Sequence, residues 1–87
     1  MPLDVELVSA EEDLFTGEAD FVSTKTVEGD IGILPGHSPL LAQLVECEVM
    51  IRTSGGDQTW PIAGGFMTVK DNKVIILAEA TGEPEPE

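Results

Sequence analysis

The sequence is short of several residue types, and each shortage narrows what the protein can be. Among 87 residues there is no Tyr, one Cys and one His. The lone Cys47 cannot form an intramolecular disulfide. The lone His37 has no second histidine and no cysteine at ligand spacing, which argues against zinc. No metal or cofactor site is therefore predicted.

Basic residues are also scarce. Four Lys and Arg stand against 17 Asp and Glu, which gives a formal net charge of −13. Nucleic acid and anionic lipid would repel such a surface, so neither is an expected partner. The charge favours a basic protein partner, although an acidic, well-solvated surface needs no partner at all.

Long apolar runs are missing as well. No segment approaches the length needed to span a bilayer, and the N-terminus has no basic region, so neither membrane insertion nor a signal peptide is expected. The chain has 41% hydrophobic residues, enough for one packed domain, which we place at residues 1–80. Residues 81–87 contain Gly, Pro and Glu and are predicted to form a disordered acidic tail.

No stretch before residue 80 shows apolar residues at helical spacing. Strict alternation recurs instead, as in Leu3–Leu7 and Phe15–Phe21. About eight to ten short strands with frequent turns predict an all-β antiparallel sandwich or small barrel, with no C-terminal helical hairpin. Leu40–Leu44 is interpreted as a strand buried on both sides, and Cys47 as a buried thiol.

The run Val74–Ala78 is apolar without alternation, which places Ile75 and Leu77 on the outer face of a sheet. Two interpretations remain open. The strand is central and covered by its own loops, or the outer face is covered by another protein. Met50 and Met67 are assigned to the same face, because Met suits adaptable contact surfaces.

The stretch Gly29–Leu41 is the most constrained in the chain. Gly and Pro alternate there with aliphatic residues, which predicts a short strand followed by a rigid turn. We expect one stiff loop with Asp30 and His37 at its exposed tips. Its structural residues are Gly29, Gly32, Pro35, Gly36 and Pro39.

Enzymatic chemistry is not indicated. The glycine-rich stretch lacks a following Lys–Ser/Thr, and Pro39 prevents the helix that would hold a phosphate. Ser38 adjoins His37, but neighbours in sequence seldom form a nucleophile–base pair. Two alternatives are kept: a free-standing β-sandwich carrier or ligand-binding module, and a small hydrolase that uses His37.

Gly29–Asp30–Ile31–Gly32–Ile33–Leu34–Pro35–Gly36–His37–Ser38–Pro39–Leu40–Leu41 resembles the hallmark run of the epsilon subunit of F-type ATP synthases. Similarity extends to Leu7–Glu11 and Leu14–Glu18, which resemble the opening strands of that family. It also extends to Ala63–Val69 and Val74–Glu79, which resemble its closing hairpin.

The resemblance implies a sandwich of two roughly five-stranded sheets. It implies a non-catalytic rotor subunit of the central stalk that binds the gamma subunit and the c-ring and couples proton translocation to ATP synthesis. Such a subunit is peripheral to the cytoplasmic face of the bacterial plasma membrane, or to an organellar energy-coupling membrane. The residues expected to face the c-ring are Glu28, Asp30, His37 and Ser38. Those expected to face gamma are Ser9, Met50, Met67, Ile75 and Leu77.

The sequence departs from the family at its end. Members usually carry a pair of C-terminal helices that restrain ATP hydrolysis and in some cases bind ATP, and no such pattern precedes Glu87. Inhibition and ATP binding are therefore not carried over to this chain. Whether the chain is naturally short, and whether protons or sodium ions drive the rotor, stays open.

Overall fold

The computed structural model describes residues 2–10 and 13–79, and these ranges are built from strands without a helix. The predicted tail, 81–87, lies outside them. Within the described ranges, no helix could cross a membrane. The nine strands are β1 (Leu3–Ser9), β2 (Asp13–Ala19), β3 (Phe21–Thr26), β4 (Gly29–Ile33), β5 (Leu40–Leu44), β6 (Cys47–Thr53), β7 (Gly56–Ile62), β8 (Gly64–Lys70) and β9 (Lys73–Glu79).

Hydrogen bonding runs continuously through the strands in the order β2-β1-β9-β8-β5-β3-β6-β7, and β4 is added to the other side of β3. The sheet folds over where β5 meets β3, because these two strands pair only at Leu44 and Thr26. Two layers result, with five strands (β2-β1-β9-β8-β5) and four strands (β4-β3-β6-β7). The predicted all-β sandwich is confirmed in this curled form.

Alternation along the strands decides which side chains enter the core. In β9, for example, Val74, Ile76 and Ala78 are buried while the residues between them are exposed. The largest side chains that are fully enclosed are aliphatic, as expected for a small core built between two pleated faces. They are Leu3, Leu7, Ile33, Ile51, Met67, Ile76, Val5, Val22, Val49, Val69 and Val74.

The tight β8–β9 turn fixes the register of the closing hairpin. Asp71 and Asn72 both have positive φ, 52° and 63°, as the two central residues of a type I′ turn require. Further along the hairpin, Gly65 (φ 142°) lies so close to β9 that a Cβ atom there would collide with the carbonyl oxygen of Leu77. Gly65 is thus required for the close approach of β8 to β9.

Two burial predictions were wrong. Leu40–Leu44 is not buried on both sides, because the outward face of β5 is open and Leu41 is 71% exposed. Cys47 is only half-buried at the start of β6, where its sulfur lies 3.4 Å from the Thr24 hydroxyl.

Candidate partner-binding surfaces

The β3–β4 turn presents Glu28 from a rigid base. The hydroxyl of Thr26 accepts a hydrogen bond from the Glu28 amide and donates one to the Gly29 carbonyl, both at 3.0 Å. Thr26 itself is 8% exposed. The adjacent Val27 amide donates to the Gln43 carbonyl on β5 at 3.0 Å. These bonds hold the turn at the end of the sandwich where β3 and β5 meet.

Asp30 lies on β4, opposite Lys25 in the register with β3, and its side chain is exposed. The predicted single loop with two tips was wrong. Asp30 and His37 are separated by the rest of β4, and three residues of strand alone span about 10 Å. The structure therefore groups Glu28 with Asp30 at the β3–β4 turn and places His37 and Ser38 beyond the other end of β4.

The loop of His37 is ordered by its own hydrogen bonds. Nδ1 of His37 donates to the Ser38 carbonyl at 2.7 Å, and the His37 amide donates to the Leu34 carbonyl at 3.2 Å. The Gly36 amide donates to Oδ1 of Asn72 at 2.7 Å, which ties this loop to the β8–β9 turn. These bonds support the stiffness expected of the segment, which stays a prediction.

Gly32 makes room for an aromatic ring rather than for a partner. A Cβ atom at Gly32 would lie 2.8 Å from two ring atoms of Phe21, which stands beside it on β3. The guanidinium of Arg52 lies 5.5 Å from the centre of the same ring and forms a 3.2 Å ion pair with Asp57. The Phe21 ring therefore lies against Gly32 on the outer face of the four-stranded layer, where a side chain at position 32 would collide with it.

The five-stranded layer carries an apolar group on its outer face, as the Val74–Ala78 run predicted. Phe66 and Leu77 face each other across β8 and β9 and are 48% and 49% exposed, and Ile75 is 37% exposed. Val8, on β1, is the partner of Leu77 on the other side and is half-buried. We call Val8, Phe66, Ile75 and Leu77 the outer apolar patch.

The patch ends at an ion pair. Lys73 and Glu6 approach to 3.2 Å on the same face, next to Ile75. Both side chains are substantially exposed, so this pair contributes little to stability. It lies at the border of the apolar area. Within residues 2–10 and 13–79, no loop covers Ile75 and Leu77. The interpretation in which the chain's own loops cover them is therefore not supported there.

The other residues expected to face gamma do not share this surface. Met67 is 0% exposed, because it lies on the inward phase of β8, and it belongs to the core rather than to a contact surface. Met50 is half-buried on the outward phase of β6, in the opposite layer. Ser9 ends β1 beside Ala78 and is half-buried.

Phe66 and Thr26 were not singled out from the sequence, although a signal existed for Phe66. A two-residue turn at Asp71–Asn72 fixes the register, so that Phe66 must face Leu77 on the same side. Thr26 could not be found in this way, because its two bonds depend on the local path of the β3–β4 turn.

Catalytic chemistry has no support in the described geometry. The imidazole of His37 bonds to the Ser38 carbonyl rather than to its hydroxyl, so the two side chains do not form a nucleophile–base pair. Two open surface cavities of about 490 Å³ each have a mixed lining of apolar, polar and charged residues. One of them includes Glu18, Asp20 and Ser54, and the other includes Lys70, Asp71 and Lys73.

These features define a class first: a small all-β domain whose outer surface carries exposed apolar and acidic side chains. The family follows from sequence comparison, in which residues 2–83 match the model of the ATP synthase delta/epsilon chain β-sandwich domain. The chain belongs to this family, as the hallmark run predicted.

Three curated relatives, all named ATP synthase epsilon chain, illustrate the similarity. The protein of Corynebacterium diphtheriae is 53% identical over 86% of this chain and 63% of its own length. Those of Micrococcus luteus and Mycobacterium sp. strain KMS are each 49% identical. They cover 87% and 98% of this chain, which spans 85% and 71% of their lengths respectively. The chain thus spans less than two thirds of the length of the first relative and more than two thirds of the lengths of the other two.

Solved structures agree with the fold. A chain in the cryo-EM structure of the Euglena gracilis mitochondrial ATP synthase OSCP/F1/c-ring assembly matches with a TM-score of 0.87 at 26% identity. The match covers 95% of this chain and 53% of that one. A chain of the Tetrahymena thermophila mitochondrial ATP synthase central stalk and c-ring matches with a TM-score of 0.81, at 20% identity, over 95% of this chain and 67% of that one.

Proposed function

We propose that this domain is a non-catalytic part of the rotor of an F-type ATP synthase. It binds the gamma subunit and the c-ring and turns with them, so that ion flow through the membrane sector is coupled to ATP synthesis. The observation that carries the proposal is the family match over residues 2–83 together with a surface that offers contacts in place of a catalytic site. The expected location is the cytoplasmic face of a bacterial plasma membrane, held there by protein partners.

The gamma subunit is assigned to the outer apolar patch. Phe66 and Leu77 leave about half of their side chains in water, and exposed apolar groups that adjoin one another are typical of protein contact sites. A few well-packed side chains near the centre of an interface supply most of its binding energy, and Phe66 and Leu77 hold that position in the patch. Met67 is removed from this contact because it is buried, and Met50 because it lies on the other layer.

The c-ring is assigned to the end of the domain that carries Glu28 and Asp30. Both carboxylates are exposed there, on a turn that Thr26 holds in place. Carboxylates pair most strongly with guanidinium groups, so the expected counterpart is a basic loop of the ring subunit. His37 and Ser38 lie at the other end of β4 and are no longer included in the same compact contact.

The two alternatives find less support. A carrier module needs a concave apolar pocket with a few converging polar groups. The larger cavities among the described residues are shallow, with apolar and charged groups mixed in their lining, and neither encloses an apolar pocket. A hydrolase needs a base within reach of a nucleophile, and His37 is engaged by a backbone carbonyl.

Reconstitution on membranes stripped of the endogenous subunit tests the proposal. Asp30→Arg introduces repulsion against basic loops and is expected to weaken membrane association about tenfold at low salt, with a smaller loss at high salt because exposed charges are screened. Glu18→Arg is the matched control, since Glu18 is exposed on β2 and the change in charge is the same. Equal binding of the Asp30→Arg and unaltered chains at both salt concentrations would contradict the assignment.

A further inference from the structure

Two strand edges face an open side of the sandwich and have no partner in the described part of the chain. β4 pairs with β3 along one side only. β5 pairs with β8 along its whole length, but with β3 only at Leu44. The second edge of β4 has no partner strand among the described residues. On the β5 edge the Gln43 carbonyl accepts from the Val27 amide, and the backbone groups before it remain available to an added strand.

A cleft of about 180 Å³ lies between these edges. Its lining includes Val27, Glu28, Ile31, Leu40, Leu41 and Gln43. A drug-sized ligand needs about 300–1,000 Å³, so the cleft is too small for one and suits a side chain or two of a peptide. The lining is mixed, with aliphatic side chains beside Thr26, Glu28 and Gln43, and Val27 and Leu41 in it are 59% and 71% exposed.

The edge strands β2, β4 and β7 are protected in ways that β5 is not, and on β4 the exposed Asp30 provides this protection. β2 exposes Asp13 and Glu18, and β7 contains Asp57 and Pro61. Charge and proline on an edge discourage pairing with another chain. β5 presents the exposed Leu41 and carries no charge within Leu40–Leu44, so its free edge lacks this protection.

We propose that the β4–β5 cleft accepts an extended segment of a partner protein by strand addition. The segment inserts an apolar side chain between Val27 and Leu41 and pairs its backbone with the free edge of β5. Glu28 lines the cleft and the exposed Asp30 follows it on β4, so the flanking residues of the segment are basic. This inference deepens the proposed function, because it describes how the acidic end of the domain grips its rotor partner.

Titration of the isotopically labelled chain with a short capped peptide of alternating lysine and valine tests the inference by NMR. The expected result is saturable amide shifts confined to residues 26–31 and 40–44. A peptide with proline at its centre cannot complete the backbone hydrogen bonds to the strand, and a peptide with glutamate in place of lysine is repelled by the acidic surface. Both are expected to bind at least about tenfold more weakly. Shifts spread over the whole acidic surface, or none, would overturn the proposal.

A protein variant separates the cleft from general charge attraction. Leu41→Glu is expected to weaken peptide binding about tenfold, because a carboxylate replaces the apolar rim. Leu34→Glu, which places the same charge at an apolar site that is 59% exposed and lines neither the cleft nor the outer apolar patch, is the matched control and is expected to bind as the unaltered chain does. Equal loss in both variants contradicts strand addition. If the peptide fails to bind while Asp30→Arg still weakens membrane association, strand addition is wrong and the rotor assignment stands.

Discussion

Phe66 and Leu77 lie directly opposite each other on β8 and β9, and each leaves about half of its side chain exposed. Cross-strand pairs of this kind contribute modestly to the stability of a sheet. Here the inward neighbours, Met67 and Ile76, are fully buried, so the core does not need the outward pair. The pair is therefore available for the gamma contact proposed above.

Charge on this pair should separate binding from stability. Leu77→Glu is expected to weaken association with gamma by about 2 kcal/mol, as for a central interface residue. The free energy of unfolding should change by no more than about 0.5 kcal/mol, because the residue is exposed. Leu34→Glu, at a site 59% exposed in the His37 loop, is the matched control. Co-elution with gamma and urea unfolding measure the two effects, and unchanged co-elution of Leu77→Glu would count against the gamma assignment.

Gly65 should tolerate no side chain. Alanine there combines an unfavourable positive φ with a collision against the Leu77 carbonyl, and we expect a loss of about 3 kcal/mol in the free energy of unfolding. Gly17→Ala is the control, because the added Cβ would meet the Phe15 ring at an ordinary 3.5 Å. Urea unfolding of both variants measures the difference. Similar stability of the two variants would show that the close approach of β8 to β9 is not needed.

Gly32 and Phe21 should be coupled. Gly32→Ala forces the Phe21 ring away from its position, and we expect a cost of about 1 kcal/mol. In a Phe21→Ala background the obstruction is gone, and the same change should be neutral or stabilising by about 0.5 kcal/mol, since Ala suits a strand better than Gly. A double-mutant cycle in urea measures the coupling. Additive effects would mean that the ring does not determine the glycine.

The hydroxyl of Thr26 should matter more than its shape. Thr26→Val keeps the volume but leaves the Glu28 amide without its partner, at an expected cost of about 1–2 kcal/mol. Thr26→Ser keeps the hydroxyl and should retain most of that stability. Hydrogen exchange at the Glu28 amide reports the turn directly. Exchange as slow in Thr26→Val as in the unaltered chain would contradict the role given to the hydroxyl.

Much of the fold could be predicted from the sequence, because alternation and turn chemistry are local. The β8–β9 hairpin follows from Asp71–Asn72, and the outward placement of Ile75 and Leu77 follows from the period of β9. The hallmark run Gly29–Leu41 was sufficient to indicate the family. Each of these depends on residues that are close together in the chain.

The sequence did not predict how distant segments meet. Asp30 and His37 are seven positions apart, and their separation depends on β4 being extended between them. Met67 has the chemistry of a contact residue, yet the phase of β8 turns it inward. Leu41 is exposed because β5 lies at the edge of its layer, and edge position is a property of topology rather than of composition.

The central claim is that two separate surfaces of this domain contact two different neighbours. Photo-crosslinking in the assembled ATP synthase tests it most directly, with p-benzoylphenylalanine placed in turn at position 77, at position 30 and, as a control, at the exposed position 58 on β7. We expect a gamma adduct from position 77, a c-subunit adduct from position 30 and neither from position 58. Adducts to one and the same neighbour from positions 77 and 30, or none from either, would contradict it.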